Sequence, residues 1–211
     1  MINKKIVLVG GGGHCRSCID VIETTAYEIA GIIDNETKGN KLLDYDIIGN
    51  DSDLPALAKK KYLFLVTVGQ IKDANLRVRL FEKIKQVNGK LATVVASTAI
   101  ISKHSLIGEG TIVMHQALIN TSAKVGNNCI LNTKSLIEHN CTIGNHTHIS
   151  TAAIINGDCV IGNGVFIGSN SVIAHGVQIA DDVVIGSGSV VIKNISEKGI
   201  YGGNPAKRID K

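Results

Sequence analysis

Tryptophan is absent from this sequence and aromatic residues make up only 3% of its 211 positions, so its core must be aliphatic. Proline is nearly missing too, with 2 residues against 23 glycines, so many tight bends are made without rigid ones. No apolar run approaches the roughly 18 residues that a membrane-spanning helix needs. The first residues, MINKKIVLVG, run straight into a strand-like segment with no cleavable signal, which leads us to expect a cytoplasmic protein. A strong charge imbalance is also lacking. The net charge is +4, of which residues 1–94 carry +3 and residues 95–211 carry +1. That is too diffuse for a nucleic-acid partner, although it suits an anionic small molecule near the first part. With 44% hydrophobic and 19% charged residues, the chain reads as one large or two small folded domains.

Five cysteines, an odd number, read as free thiols. Cys15 and Cys18 form a C-x-x-C with no second pair. Small side chains at a crowded turn are preferred there over redox or metal chemistry.

The second half is a repeat. From Val95, stepping by six, stand Val95, Ile101, Ile107, Val113 and so on to Ile185 and Val191: seventeen aliphatic residues without a slip of register. Four residues after each stands a small or β-branched residue, and Cys129, Cys141 and Cys159 fill that slot as packing residues. A glycine often follows the aliphatic residue directly, as at Gly108, Gly126 and Gly144, and is expected to supply backbone freedom. A period of six fits a three-sided coil of eighteen residues per turn, with each branched residue stacked on its equivalent one coil away.

The first half alternates strands and helices. Strands are expected at Lys5–Val9, Ile29–Ile33 and Tyr62–Val68, and helices near 15–24, 53–60 and 73–87, which implies a small parallel sheet with covering helices. Between the first strand and helix lies Gly10-Gly-Gly-Gly13-His14, a run that lets backbone N–H groups approach a phosphate. Its dinucleotide signature is incomplete, because Cys15 stands where the third glycine belongs. Asp34 ends the next strand, where a ribose or base contact is commonly made. The loop reads as a nucleotide-phosphate site without nicotinamide, the alternative being a tight turn with no ligand. His139, His146, His148 and His175 lie close together or in phase on the coil wall. A neutral imidazole there suits a general base for acyl transfer near pH 7.

The hexads resemble the hexapeptide-repeat acyltransferases, which implies a left-handed parallel β-helix and a homotrimer. GGGGHCRS after the first strand, IEHNCTIGNHTHIS in the middle coils and YGGNPAKRI near the end sharpen this. Together they resemble sugar acyltransferases of the sialic acid O-acetyltransferase type, including the N-acetyltransferases that finish bacillosamine-type sugars. The resemblance implies acetyl-CoA as co-substrate, lying along the β-helix between two subunits, and a nucleotide sugar held by the N-terminal domain. Carried over by residue, His139 matches the catalytic base and His148 a residue contacting the acetyl thioester carbonyl. Gly12, Gly13 and His14 match the nucleotide-sugar loop, with Asp34 and Gly69 contacting from the next strand ends. Gly157, Ser169 and Ser187 match positions lining the CoA channel, the last two with a change of residue type. After the base that family commonly has Glu or Asp; here it is Asn140, whose amide oxygen can still accept the imidazole Nδ1–H but brings no charge. Related β-helices hold zinc with three histidines, yet Ala180 stands where the third would be, so no metal is expected.

The expected organisation is a Rossmann-like α/β nucleotide-sugar-binding domain over 1–94, a left-handed β-helix over 95–196 and a C-terminal cap over 197–211. The expected activity is acetyl-CoA-dependent N-acetylation of the C4 amine of a UDP-linked 4-amino-4,6-dideoxy sugar for bacterial glycans. The alternatives are O-acetylation of a sugar such as sialic acid, and a non-catalytic β-helix scaffold.

Overall fold

The structure, a computed structural model, describes residues 4–36 and 41–210; the expected domain limits at Met1 and Lys211 lie outside the described residues. The chain opens with β1 (Lys4–Val9), α1 (Gly13–Ile22), β2 (Tyr27–Ile33), β3 (Lys41–Leu42) and β4 (Tyr45–Gly49). It continues with α2 (Leu54–Lys59), β5 (Leu63–Val66), α3 (Asn75–Gln86) and β6 (Lys90–Leu91). The sheet order is β3-β4-β2-β1-β5-β6, parallel except for the β3–β4 hairpin at one edge. β3 and β6, two residues each, are too short to show a period of two, and in β4 the exposed Ile48 beside buried Ile47 masks it in the sequence, so sequence reading missed all three. Alternation along β1 sends Ile6 and Leu8 to one face and Val7 and Val9 to the other. The Val7 face is covered by α2 and α3 through Leu54, Leu57, Leu80, Phe81 and Ile84. The Ile6 face is covered by α1, whose far side meets Val94, Ile112 and Ile130 of the coil.

The repeat forms the expected left-handed parallel β-helix of two-residue strands. Each strand pairs with the one eighteen residues on: Ile112 with Ile130, Leu118 with Leu136, Lys124 with Thr142. Three faces result. The first carries Val94, Ile112, Ile130, His148, Phe166 and Val184 outward; the second carries Ile100, Leu118, Leu136, Ile154, Val172 and Val190; the third begins at Leu106 and carries Lys124, Thr142, Val160 and Gln178. The inner row, from Val113 to Val191, is buried throughout. Fully burying each such side chain contributes about 1.5–3 kcal/mol. Near the end, Ile200–Gly202 pairs with Val184–Ile185, so part of the expected cap extends the first face by one more strand.

One expectation about the corners is corrected. The glycine after the inner aliphatic residue is not the left-handed position: at Gly144 a Cβ would lie 2.5 Å from Gly162, so closeness of successive coils selects glycine there. Positive φ falls three residues after the inner aliphatic one, as at Asn128, Asn140, His146 and Asp158. The small-residue slot has a second role as well. Thr111, Cys129, Cys141, Thr147 and Cys159 each donate a hydroxyl or thiol hydrogen to a carbonyl fifteen residues on, satisfying the corner of the next coil.

Candidate functional site

The glycine run ends β1 and opens α1, whose first turn starts at Gly12 without a side-chain cap. A cavity of about 340 Å³ lies there, lined by Gly10, Gly12, Gly13, His14, Asp34, Gly69 and Arg79 among others. All five positions expected to bind the nucleotide sugar therefore converge. Asp34 accepts the Gly11 N–H at 2.6 Å and the Glu36 N–H at 2.8 Å, so its carboxylate shapes the loop. Gly69, just beyond β5, lies beside His14 of α1, where even a Cβ would make only ordinary contact, 3.5 Å from His14 Cβ.

His14 faces the coil, its ring 6.4 Å from that of His148. Its Nε2 is buried without a hydrogen-bond partner, and burial beside the Arg77 guanidinium pushes its pKa down to about 3. His148 is 6% exposed on the first face, between Ile130 and Phe166. Burial lowers its pKa to about 4, so it is neutral at pH 7. Its Nδ1 lies 2.7 Å from the Gln70 carbonyl, which only accepts, so Nδ1 carries the hydrogen. Nε2 is then an acceptor, 3.2 Å from the Asn132 amide nitrogen. The expectation that His148 contacts the thioester carbonyl is therefore not supported as a donor role: in the neutral ring no N–H remains to polarise an acyl oxygen.

Arg77 of α3, missed in the sequence, locks this seam. It is 1% exposed and donates to the carbonyls of Val66, Val68 and Asn128 and to Asn128 Oδ1. Among the described residues no carboxylate pairs with it, and burial lowers its pKa to about 10. Asn128 is fully buried at a left-handed corner and also contacts His146 Nδ1 at 3.0 Å. An Asn at a hexad corner looks like any turn residue, so only the folded arrangement reveals its partner.

His139 stands elsewhere, exposed on the corner between the second and third faces. That corner is opposite the first face, so the coil separates His139 from the glycine-loop cavity of its own chain. His139, Gly157 and His175 stack one per coil. Gly157 lies directly under the His139 imidazole, where a Cβ would come within 2.6 Å of Cε1. The missing side chain lets the His139 and His175 rings approach to 6.4 Å, closer than the two-coil spacing of about 10 Å read from the sequence. Asn140 does not bond to the His139 ring. Its Nδ2 donates to Asp158 Oδ1 at 2.9 Å. The other Asp158 oxygen lies 3.4 Å from His175 Nε2, and the Asp158 N–H donates to the His139 carbonyl. Asp158, one coil beyond Asn140 at the same corner, is the residue that sequence reading missed; a search of positions eighteen apart finds it.

Ser169 and Ser187 lie one coil apart on the corner between the first and second faces, Ser169 bonded to Ser150 Oγ at 3.0 Å. Within one chain they are not brought to His139; the two groups flank opposite edges of the second face. Cys15 and Cys18 are fully buried on α1 in the core, with burial pushing Cys15 up to about 11 and Cys18 higher still. Among the described residues no group of His, Cys, Asp and Glu is arranged to hold a metal ion.

Residues 5–84 match the PglD N-terminal domain family, and residues 158–193 match the bacterial transferase hexapeptide family (six repeats). The acetyltransferase domain of PglB from Neisseria gonorrhoeae, solved with acetyl coenzyme A, is 26% identical over 98% of this chain and 100% of that one, with a TM-score of 0.92. PerB from Caulobacter crescentus, solved with CoA and GDP-perosamine, is 27% identical over 100% of this chain and 99% of that one, with a TM-score of 0.91. An uncharacterized protein of Acanthamoeba polyphaga mimivirus is 31% identical over 111 residues, which span 52% of this chain and 21% of that protein. The chain therefore combines a PglD-type N-terminal domain with a hexapeptide-repeat transferase domain, and over its full length it is similar to solved sugar acetyltransferases.

Proposed function

We propose that the protein transfers the acetyl group of acetyl-CoA to the C4 amine of a nucleotide-linked 4-amino-4,6-dideoxy sugar, with UDP as the first nucleotide to test. The observations that carry this are an open glycine-loop cavity and, on the far corner of the coil, an exposed histidine seated over Gly157. Sugar N-acetyltransferase relatives of the same architecture support the chemistry. His139 takes the proton that the amine loses as it attacks the thioester carbonyl. Asp158 assists. A carboxylate only accepts, so it holds the NH₂ end of Asn140 and leaves the Asn140 oxygen as the end that can take an imidazole N–H. His148 is then a positioning residue of the domain seam.

Because the coil separates His139 from its own cavity, the site needs two chains. The second face supports this. Its outward row is aliphatic throughout, from Ile100 to Val190, whereas on the third face Leu106 and Val160 are interspersed with Lys124, Thr142 and Gln178. A second copy on that apolar face brings His139 to a seam, and a closed ring of three repeats the seam symmetrically. Gly157 at one edge and Ser169 and Ser187 at the other then border the acetyl-CoA channel.

The test is thiol release from acetyl-CoA with 4-amino sugars linked to UDP, GDP or dTDP, beside His139→Ala. Release that requires an amino sugar and falls at least about a hundredfold in the variant is expected. Release only with hydroxyl acceptors supports the O-acetylation reading. None with either, in a folded protein, leaves a scaffold.

A further inference from the structure

The N-terminal domain has a second large cavity, at the opposite end of its sheet from the glycine loop. It measures about 740 Å³, and Lys4, Lys5, Lys60, Lys61 and Lys90 line it above Tyr62 and Leu63. Strand register gathers them. Ile6 pairs with Leu63, and Leu63 pairs with Lys90, so the starts of β1, β5 and β6 lie side by side. Two lysine runs more than fifty residues apart thereby meet with a third lysine. All five are exposed, while Tyr62 and Leu63 below them are half-buried. Only Lys5 has an ion pair among the described residues, with Glu28 at 3.2 Å. Five positive charges in one place exceed the +4 net charge of the whole chain.

Lys4, Lys60, Lys61 and Lys90 have no counter-ion among the described residues, and like charges gathered in this way repel one another, so the arrangement favours an anion from outside. The set contains no arginine. Arginine forks suit bidentate recognition of one phosphate, whereas lysines act as point charges toward a diffuse anionic surface. The aromatic and aliphatic floor suits the boundary between headgroups and acyl chains. No helix among the described residues is long and apolar enough to cross a membrane, so attachment here is peripheral. The cavity opens at the N-terminal ends of the strands and the glycine loop at their C-terminal ends, so one ligand does not block the other.

We propose that this lysine-lined cavity docks the protein on a bilayer surface rich in anionic phospholipid, leaving the glycine-loop cavity facing away. The surface holds the protein through charge, so binding weakens as salt rises.

Vesicle flotation of the full chain tests this, with phosphatidylcholine alone and with phosphatidylglycerol added. Binding to the anionic vesicles only, lost at high salt, is expected. Lys4→Gln, Lys60→Gln and Lys90→Gln combined should weaken it by about a hundredfold, while acetyl transfer in solution and the melting temperature stay at wild-type values. Equal binding to neutral vesicles, or a triple variant that floats like wild type, overturns the proposal. So does lysine-dependent binding of pyrophosphate or duplex DNA by a protein that ignores anionic vesicles. Flotation needs no turnover, so its result stands apart from the outcome of the activity assay.

Discussion

Two histidine groups on one coil have opposite surroundings. His148 and His14 lie in the seam with the N-terminal domain, mostly buried, held neutral, and near a guanidinium that has no carboxylate partner among the described residues. His139 and His175 lie on the bare corner opposite, exposed and beside Asp158. Side-chain type does not separate them, because both groups are imidazoles on the same repeat. What separates them is which side of a three-sided coil the N-terminal domain covers. The covered face packs against the N-terminal domain, and the uncovered corner is where the proposed reaction draws its base.

The contrast can be strained hardest with acid. Folded His14 and His148 have pKa values of about 3 and about 4, against 6.5 unperturbed. Below about pH 6.5 the unfolded chain binds protons that the folded chain refuses, so stability falls as pH drops from 6.5 toward 4. The loss should reach about 4 kcal/mol by pH 5, both histidines together, and denaturant titrations at pH 7 and pH 5 measure it. His148→Gln should flatten the slope. Next in size is Arg77→Met, which leaves the oxygens of Val66, Val68 and Asn128 without their donor. It should cost about 3 kcal/mol of stability, read in the same titration. A smaller effect is expected from Gly157→Ala. Its methyl displaces the His139 ring and should lower kcat about tenfold with little change in melting temperature. Smallest is the charge beside the base. Asp158→Asn should lower kcat about fivefold at unchanged KM, and adding Asn140→Asp should restore most of it. Both positions have positive φ, which Asn and Asp tolerate, so the exchange tests charge and not backbone strain.

The coil was legible in the sequence because its period is long, unbroken and unlike that of helix or sheet. The glycine loop was legible because a strand, a glycine run and a helix follow one another locally. What escaped notice depends on residues far apart in the chain. Arg77 and Asn128 are 51 positions apart, and neither carries a motif. Asp158 is visible only when positions eighteen apart are compared, and the hydrogen placed on His148 Nδ1 is dictated by a carbonyl 78 residues away. The small-residue slot was read as packing alone because a thiol or hydroxyl donor looks, in one dimension, like a small side chain.

The account rests most heavily on a site divided between two chains, and subunit mixing tests it. His139→Ala and a cavity variant, Asp34→Ala, should each be inactive alone. Unfolded together and refolded as mixed trimers, they should recover about a quarter of the wild-type rate, because one seam in four pairs an intact histidine with an intact cavity. No recovery in mixed trimers that form and bind acetyl-CoA would contradict it, as would full activity in a monomer.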